Sequence, residues 1–154
     1  MHTTPATINF YSTRDEFGCF SNFYAARIVL EGKMWRTTEH YFQAQKFAGT
    51  PREEEIRQSN SPSIAARMGR SRKHPLRPDW ERVKEAVMRE AVLAKFTQHD
   101  DLRATLLGTG DAILVEHTSN DAYWGDGGDG SGRNRLGQIL MSVRAELRAQ
   151  QTGE

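Results

Sequence analysis

The chain has 154 residues, of which 37% are hydrophobic and 27% charged, and its formal net charge is +1. This length suits one domain with a core of its own, and the composition excludes a disordered chain. A net charge this close to zero also excludes a global electrostatic commitment to nucleic acid.

Hydrophobic periodicity, caps and turn residues predict the elements in chain order. Strands are predicted at residues 7–11 and 26–31, with a turn at residues 31–33. A helix is predicted from Glu39 to near Gly49, with Thr37 or Thr38 as its N-cap. A second helix is predicted from Thr50, which forms a capping-box pattern with Glu53. Three more are predicted from Ser61 to near Gly69, after Asp79, and at residues 100–107. A buried strand at residues 112–116 and a final helix from about Asn134 follow. The chain is therefore expected to be a single domain, residues 1–154, that is mainly α with a small β element.

The cysteine content and the lack of targeting signals indicate the cellular location of the protein. Cys19 is the only cysteine, so an intrachain disulfide and a cysteine-based zinc cluster are excluded. No apolar run approaches the length of a membrane span, and the first residues lack the regions of a signal peptide. We therefore expect a cytoplasmic protein that does not contact a membrane.

The helix that begins near Glu39 separates its polar and apolar residues. At about 100° per residue, Glu39, Gln43 and Lys46 fall within roughly 60° of one another. A separate arc suited to a core holds Tyr41, Ala44, Phe47 and Ala48. A carboxylate, an amide and an amine on one rigid element suit acid–base or covalent chemistry. Taken alone, the segment favours an ordinary solvated helix face, because charged faces usually only meet water.

A glycine-rich segment between the last strand and the last helix is the second unusual feature. It has five glycines among residues 125–132, and it leads into a helix N-terminus, where free N–H groups favour phosphate. Trp124 is placed to stack on a base or a ribose face. Two alternatives stay open: a calcium loop using Asp126 and Asp129, which lack EF-hand spacing, and a flexible surface loop.

Three further features are a Ser-Asn turn, a cluster of basic residues and the histidines. Ser21 and Asn22 lie among aromatic residues, in a turn that suits either base or sugar recognition or a plain core. A basic cluster suits either a phosphate-bearing substrate or a solvated face: Arg67, Arg70, Arg72, Lys73, His74 and Arg77. The histidines form no pair at helical spacing, so we expect no metal site.

Together, these segments resemble the NADAR (YbiA-like) N-glycosidases over about residues 8–147. The blocks that carry the resemblance are Phe20-Ser21-Asn22-Phe23, residues 38–47, Arg77-Pro78-Asp79-Trp80, Lys95-Phe96, residues 107–111, residues 121–125, residues 130–137 and Leu140-Met141. The resemblance implies a mainly α-helical fold and hydrolysis of an N-glycosidic bond between ribose and a base or amine, without a cofactor.

Two substrate classes are associated with this family. The first expectation is removal of ADP-ribose from guanine in nucleic acid, with ADP-ribosylated DNA or RNA as partner. The alternative is hydrolysis of ribosylamino-pyrimidine phosphates of riboflavin synthesis. A non-catalytic module that binds ADP-ribose or a related nucleotide is the rival from another class. The oligomeric state is left open.

The resemblance and the chemistry together assign roles to residues. Glu39 or Asp121 is expected to stabilise positive charge at the anomeric carbon and to activate water. Lys46 is expected to form a Schiff base with ring-opened ribose, which requires a partly neutral amine; alternatively it only pairs with Glu39 or binds phosphate. The expected substrate-binding residues are Ser21, Asn22, Phe23, His40, Gln43, Trp80, Trp124, Gly125, Asp126, Gly132 and Asn134.

Overall fold

A computed structural model describes residues 6–152, the last without its side chain. The elements in this part of the chain are β1 (Thr7–Phe10), a 3-10 turn (Gly18–Phe20), β2 (Ile28–Leu30), β3 (Lys33–Trp35), α1 (Thr38–Gln45), α2 (Pro51–Arg57), α3 (Pro62–Arg70), α4 (Trp80–Gln98), α5 (Asp100–Gly108), β4 (Ile113–Glu116) and α6 (Arg135–Thr152). About 49% of the residues are helical and about 10% lie in strands, which confirms a mainly α fold with a small β element.

The described residues form two compact units, one of residues 22–98 and one of residues 6–21 with 99–152. The assignment of the whole chain to one domain stays a prediction. No helix within residues 6–152 combines the length and apolar character needed to cross a membrane.

In the unit of residues 22–98, α1 packs against α2, α3 and α4. Strands β2 and β3 form an antiparallel hairpin in which Ile28 pairs with Trp35. The core of this unit consists of Ile28, Trp35, Tyr41, Ala44, Phe47, Ile56, Ala65, Ala91 and Ala94. The predicted core arc of α1 is therefore confirmed at Tyr41, Ala44 and Phe47, while Ala48 is only half-buried.

The start of α1 is fixed by two preceding segments. Thr37 is the N-cap, and its hydroxyl accepts the main-chain N–H of His40. The carbonyl of Asn22 accepts the N–H of Glu39 at 3.2 Å, and the Asn22 amide oxygen accepts the Thr38 hydroxyl at 2.8 Å. These bonds satisfy N–H groups that the first helical turn cannot satisfy itself. They also fix where Glu39 leaves the helix.

His40 is fully buried beside this cap. Its Nε2 lies 3.0 Å from the carbonyl oxygen of Ser59, and its Nδ1 lies 2.8 Å from the Thr37 hydroxyl. Because a carbonyl oxygen only accepts, Nε2 carries the proton, and Nδ1 of the neutral ring accepts from Thr37. Burial is the largest cause that lowers the pKa of His40; the Ser59 bond opposes it and Arg36 adds to it. His40 therefore joins the start of α1 to the chain at Ser59.

The capping box predicted at Thr50 and Glu53 is wrong in its side-chain bonds. The Thr50 hydroxyl donates to the carbonyl of Phe47, an acceptor just beyond the end of α1. Glu53 accepts instead from the N–H of Gly49 at 3.1 Å and from the Gln45 amide at 3.0 Å. The groups left unsatisfied where α1 ends thus compete successfully for both side chains.

In the other unit, β1 and β4 form a parallel pair from Thr7–Ile113 to Phe10–Glu116, and α6 packs against β4. The predicted apolar side of α6 is confirmed, since the following residues are all buried: Leu136, Ile139, Leu140, Val143 and Leu147. The buried strand predicted at residues 112–116 is present as β4, but it is not buried along its whole length. Leu114 is buried but its neighbour Ile113 is 39% exposed, because successive side chains of a strand point to opposite faces.

The buried neutral His40 predicts how stability depends on pH. The unfolded chain binds a proton near the ordinary pKa of 6.5, whereas the folded chain takes it up only at lower pH. The free energy of unfolding therefore falls as the pH drops below about 6.5, because the unfolded state then holds the extra proton. Urea unfolding of wild type and His40→Gln at pH 7 and pH 5 measures this slope, which the variant should reduce. Equal slopes in wild type and His40→Gln would contradict the assignment.

Candidate active site

The three side chains of the predicted polar arc, two on α1 and one at its C-cap, are buried. Glu39 is 8% exposed, Gln43 7% and Lys46 8%. The interpretation of this arc as a solvated helix face is therefore wrong. The physical reason is tertiary: α2, α3 and α4 pack around α1, so all eight of its residues are buried. Carboxylate, amide and amine are held in an environment from which most water is excluded.

Glu39 and Gln43 are joined directly. The Gln43 amide Nε2 donates to Glu39 Oε2 at 2.7 Å, which is the contact expected one helical turn apart. Glu39 also lies in the first turn of α1, where the helix dipole favours a negative charge. The other amide atom of Gln43, Oε1, is buried and has no hydrogen-bond partner among the described residues.

Lys46, at the C-cap of α1, is enclosed by aromatic rings and one carbonyl. Its Nζ lies 3.5 Å from the carbonyl oxygen of Gly69, 5.8 Å from the ring centre of Phe42 and 6.0 Å from that of Trp80. The rings of Phe42 and Trp80 pack on each other with centroids 5.1 Å apart. Trp80, a predicted binding residue, therefore forms part of the wall around this amine.

This environment lowers the pKa of Lys46 to about 8. Burial is the largest cause, followed by the positive charge of Arg72; Glu39 opposes the shift, Arg70 adds to it and Glu81 opposes it. A pKa near 8 leaves roughly a tenth of the amines neutral at pH 7. Lys46 thus has the desolvation and the neighbouring cations that a nucleophilic lysine requires.

The basic cluster divides into groups with different surroundings. Arg70 and Arg72 are exposed, and both act on the charge of Lys46. Arg72 donates from Nη1 to the carbonyls of Gly69, at 2.9 Å, and Ser71, at 3.3 Å. Arg77 instead forms a two-bond ion pair with Asp79. The cations of this cluster that act on Lys46 are therefore Arg70, the last residue of α3, and Arg72 just beyond it.

The other predicted residues of this unit have distinct positions. Asn22 is buried, and its amide is engaged by Thr38 and, at 3.4 Å, by the Met88 sulfur. Phe23 is 38% exposed. Direct contact between His40 and a ligand would require breaking the bonds to Thr37 and Ser59, so its binding role stays a prediction.

Lys95 was given no role by sequence reasoning, although it is only 1% exposed. Its Nζ lies 5.7 Å from the ring centre of Tyr24 and 5.5 Å from that of Phe96. The signal was available: Lys95 follows Met88 by seven residues and Ala91 by four, which places it on the inward side of α4. A lysine on such a stripe is rarely without a specific reason.

The predicted residues of the other unit lie mostly in the glycine-rich loop. Asp121 Oδ1 accepts the N–H groups of Tyr123, at 2.9 Å, and Trp124, at 2.8 Å. Trp124 is half-buried, and its ring meets that of Tyr123 edge-to-face at 4.8 Å. The carboxylate of Asp121 therefore shapes the turn that presents Trp124. Ser21, also of this unit, is buried after the 3-10 turn.

Asp126 organises the centre of this loop. Its Oδ1 accepts N–H groups of Thr118 and Gly128, at 3.0 and 2.8 Å, and its Oδ2 lies 2.8 Å from His117 Nδ1. The His117 bond is the largest cause that lowers the pKa of Asp126. Both oxygens are thus engaged by donors. Within residues 6–152, no group of three or more His, Cys, Asp or Glu side chains is arranged to hold a metal ion.

Close packing fixes the remainder of the loop. A Cβ on Gly125 would lie 2.8 Å from the Thr118 methyl, and one on Gly132 would lie 2.5 Å from the main chain of Asp126. Asn134 binds the backbone of β4 through both amide atoms, accepting from Glu116 and donating to Leu114, each at 2.9 Å. The loop is therefore a hydrogen-bonded structure, and the roles of its residues in substrate binding stay predictions.

Comparison with known proteins finds a matching family model and several named relatives. The sequence model of the NADAR domain matches residues 9–148. N-glycosidase YbiA of Escherichia coli (strain K12) is 63% identical over 140 residues, which cover 91% of this chain and 88% of that protein. N-glycosidase Npun_R5314 of Nostoc punctiforme is 47% identical over 145 residues, covering 92% and 93%. Riboflavin biosynthesis protein VVA0006 of Vibrio vulnificus is 44% identical over 140 residues, which cover 91% of this chain but 38% of that protein.

A solved structure supports the same assignment. The NMR structure of the E. coli protein YbiA superposes with a TM-score of 0.90 at 58% identity, covering 99% of this chain and 92% of that one. The predicted fold class, and the prediction of a hydrolase acting on N-glycosyl compounds, are confirmed. The chain belongs to the NADAR domain family.

Proposed function

We propose that this enzyme cleaves the bond between a ribose and the nitrogen of a base or amine, with Glu39 and Lys46 performing the chemistry. The observation that carries the proposal is a buried carboxylate and a buried amine of low pKa on one short helix. A module that only binds a nucleotide has little use for this pair, since burying two charged groups is costly.

The proposed reaction begins with opening of the ribosylamine ring: the C1–O4′ bond breaks, O4′ takes up a proton from solvent, and C1 becomes the carbon of an iminium ion. The neutral amine of Lys46 adds to C1, and a proton then passes from the lysine nitrogen to the departing nitrogen. The base or amine leaves as a neutral molecule, and the ring-opened sugar remains attached to Lys46 as a Schiff base. Water adds to the imine carbon, the C–N bond to Lys46 breaks, and the phosphorylated ribose is released as its C1 aldehyde while the lysine amine is restored.

Glu39 supports both halves of this sequence. Its negative charge stabilises the positive charge at C1, and its carboxylate carries the proton between the lysine, the leaving nitrogen and water. We assign this role to Glu39 rather than to Asp121, because Asp121 Oδ1 already accepts two main-chain N–H groups. The amide of Gln43 orients Glu39 through the bond at 2.7 Å.

Recognition of the substrate is proposed to use charge and stacking. Arg70 and Arg72 are exposed cations that act on Lys46, so a phosphate on the ribose would meet them close to the reacting carbon. Trp124 supplies an aromatic face for a base or ribose. Ser21, Asn22, Phe23, His40, Gln43, Trp80, Gly125, Asp126, Gly132 and Asn134 remain proposed substrate-binding residues.

The substrate we propose first is ADP-ribose linked to guanine in nucleic acid. The second candidate, a ribosylamino-pyrimidine phosphate of riboflavin synthesis, is favoured by one specific observation: a relative that is 44% identical carries the name riboflavin biosynthesis protein. Both substrates present the same C1–N bond next to a phosphorylated ribose, so the proposed chemistry applies to either.

Replacing Glu39 tests the proposal most simply. Glu39→Gln keeps the size of the side chain but removes its charge and its ability to take a proton, so turnover should fall by about 10²- to 10⁴-fold. Product release is to be measured separately with ADP-ribosylated guanine DNA and with the ribosylamino-pyrimidine phosphate. Glu55→Gln is a matched control, because Glu55 lies on α2 with an exposed side chain. Turnover of folded Glu39→Gln within a few-fold of wild type would remove Glu39 from the chemistry.

Replacing Arg72 tests the origin of the low pKa of Lys46. Loss of this positive neighbour should raise that pKa above about 8, so Arg72→Gln leaves less neutral amine at pH 7. The rate of Lys46 acetylation by a small reagent, followed by peptide mass spectrometry across pH 6–10, gives the midpoint. It should move to higher pH in Arg72→Gln and stay in place in Arg67→Gln, since Arg67 is not among the charges acting most strongly on Lys46. An unmoved midpoint in Arg72→Gln refutes the electrostatic explanation.

A further inference from the structure

Gly69, near the end of α3, lies against Gln43 and Lys46, and Gln43 in turn is hydrogen-bonded to Glu39. A Cβ built on Gly69 would lie 1.9 Å from Gln43 Oε1 and 2.6 Å from Gln43 Cδ. The Gln43 amide therefore occupies the space that any other residue at position 69 would need. On its other side, the Gly69 carbonyl faces Lys46 Nζ at 3.5 Å and Arg72 Nη1 at 2.9 Å.

Space, and not backbone conformation, is the reason for glycine at this position. Gly69 is not among the residues with positive φ, and it lies within a helix, where alanine is intrinsically more favourable. A glycine in such a place has a cost that only close packing offsets. Here the packed group is a side chain that holds Glu39.

Gly69 leaves room for the Gln43 amide in the orientation that binds Glu39. The amide Nε2 donates to Glu39 at 2.7 Å, whereas Oε1 is buried and has no hydrogen-bond partner among the described residues. Oε1 lies where a side chain at position 69 would begin, so such a side chain would displace the amide and its bond to Glu39.

The carbonyl oxygen of Gly69 accepts hydrogen bonds from two cationic side chains, those of Lys46 and Arg72. It is one of the last four carbonyls of α3, which lack partners within the helix and lie at its negative end. Such an acceptor attracts both the Lys46 amine and the Arg72 guanidinium, and so brings the two positive groups close together. Their proximity is a cause of the low pKa of Lys46.

We propose that Gly69 is a positioning residue for the reaction: by having no side chain it lets Gln43 orient Glu39, while its carbonyl sets Lys46 beside Arg72. This inference rests on the proposed function. It predicts that a single methyl group on α3 disturbs a carboxylate on α1 without unfolding the protein, because the group displaced is the end of a flexible side chain.

A double-mutant cycle between Gly69→Ala and Gln43→Ala tests this role. Gly69→Ala alone should lower kcat at least tenfold and change KM less than threefold, since the carboxylate is displaced and only Gln43 among the proposed binding residues moves. In the Gln43→Ala background the same change should cost much less, because no amide is left to displace and only the Cβ of residue 43, 3.0 Å away, remains in contact. Gly108→Ala is the matched control: Gly108 also ends a helix, but a Cβ there would meet nothing within 4 Å. It should keep wild-type kcat.

Unfolding measurements on the same variants distinguish failure of the positioning role of Gly69 from failure of the proposed function. The effects of the two substitutions on the free energy of unfolding should also be non-additive, whatever the substrate. Equal losses of kcat in both backgrounds, or a wild-type kcat in Gly69→Ala, would overturn the positioning role. It would also be overturned if neither Gly69→Ala nor the double variant folded. A wild-type protein that turns over no N-ribosyl substrate would instead overturn the proposed function, even with non-additive unfolding energies.

Discussion

Burial of α1 on every side is the constraint on which the site depends. A helix of eight residues carries Glu39 and Gln43 and ends at Lys46, and three other helices exclude most water from them. Burying such groups is unfavourable unless each finds partners, so the neighbouring elements must provide them. The Gln43 amide binds the carboxylate, and the end of α3 provides a carbonyl for the amine. The same burial leaves Lys46 with a lowered pKa, and thus part of its population neutral near physiological pH.

The fold was largely predictable from local signals, because helix ends and core stripes depend on neighbouring residues. Thr37 and Ser61 cap helices as their residue types indicate, and the apolar side of α6 is the buried one. The capping box at Thr50 failed because its side chains bind the end of the preceding helix instead. The local sequence pattern does not show which of the competing hydrogen-bond partners is closer in space.

The site was predictable only in part. The arc of Glu39, Gln43 and Lys46 follows from helical spacing, but periodicity alone favoured a solvated face, since it carries no information on what packs against a helix. The approach of Gly69 to Gln43 joins elements 26 positions apart in the chain, so no local pattern indicates it. Lys95 lies on the inward stripe of α4 and in a block that carries the family resemblance, but helical spacing does not show that its amine lies near the rings of Tyr24 and Phe96.

The central claim is that Lys46 is bonded to sugar during the reaction, and reductive trapping tests it most directly. Wild-type enzyme is incubated with an N-ribosyl substrate and sodium cyanoborohydride, digested and analysed by peptide mass spectrometry. The account predicts a ribose-derived mass increase on the peptide containing Lys46 and none on the peptide containing Lys95, the other buried lysine of the same unit. Absence of any adduct, together with an active Lys46→Ala enzyme, would contradict it.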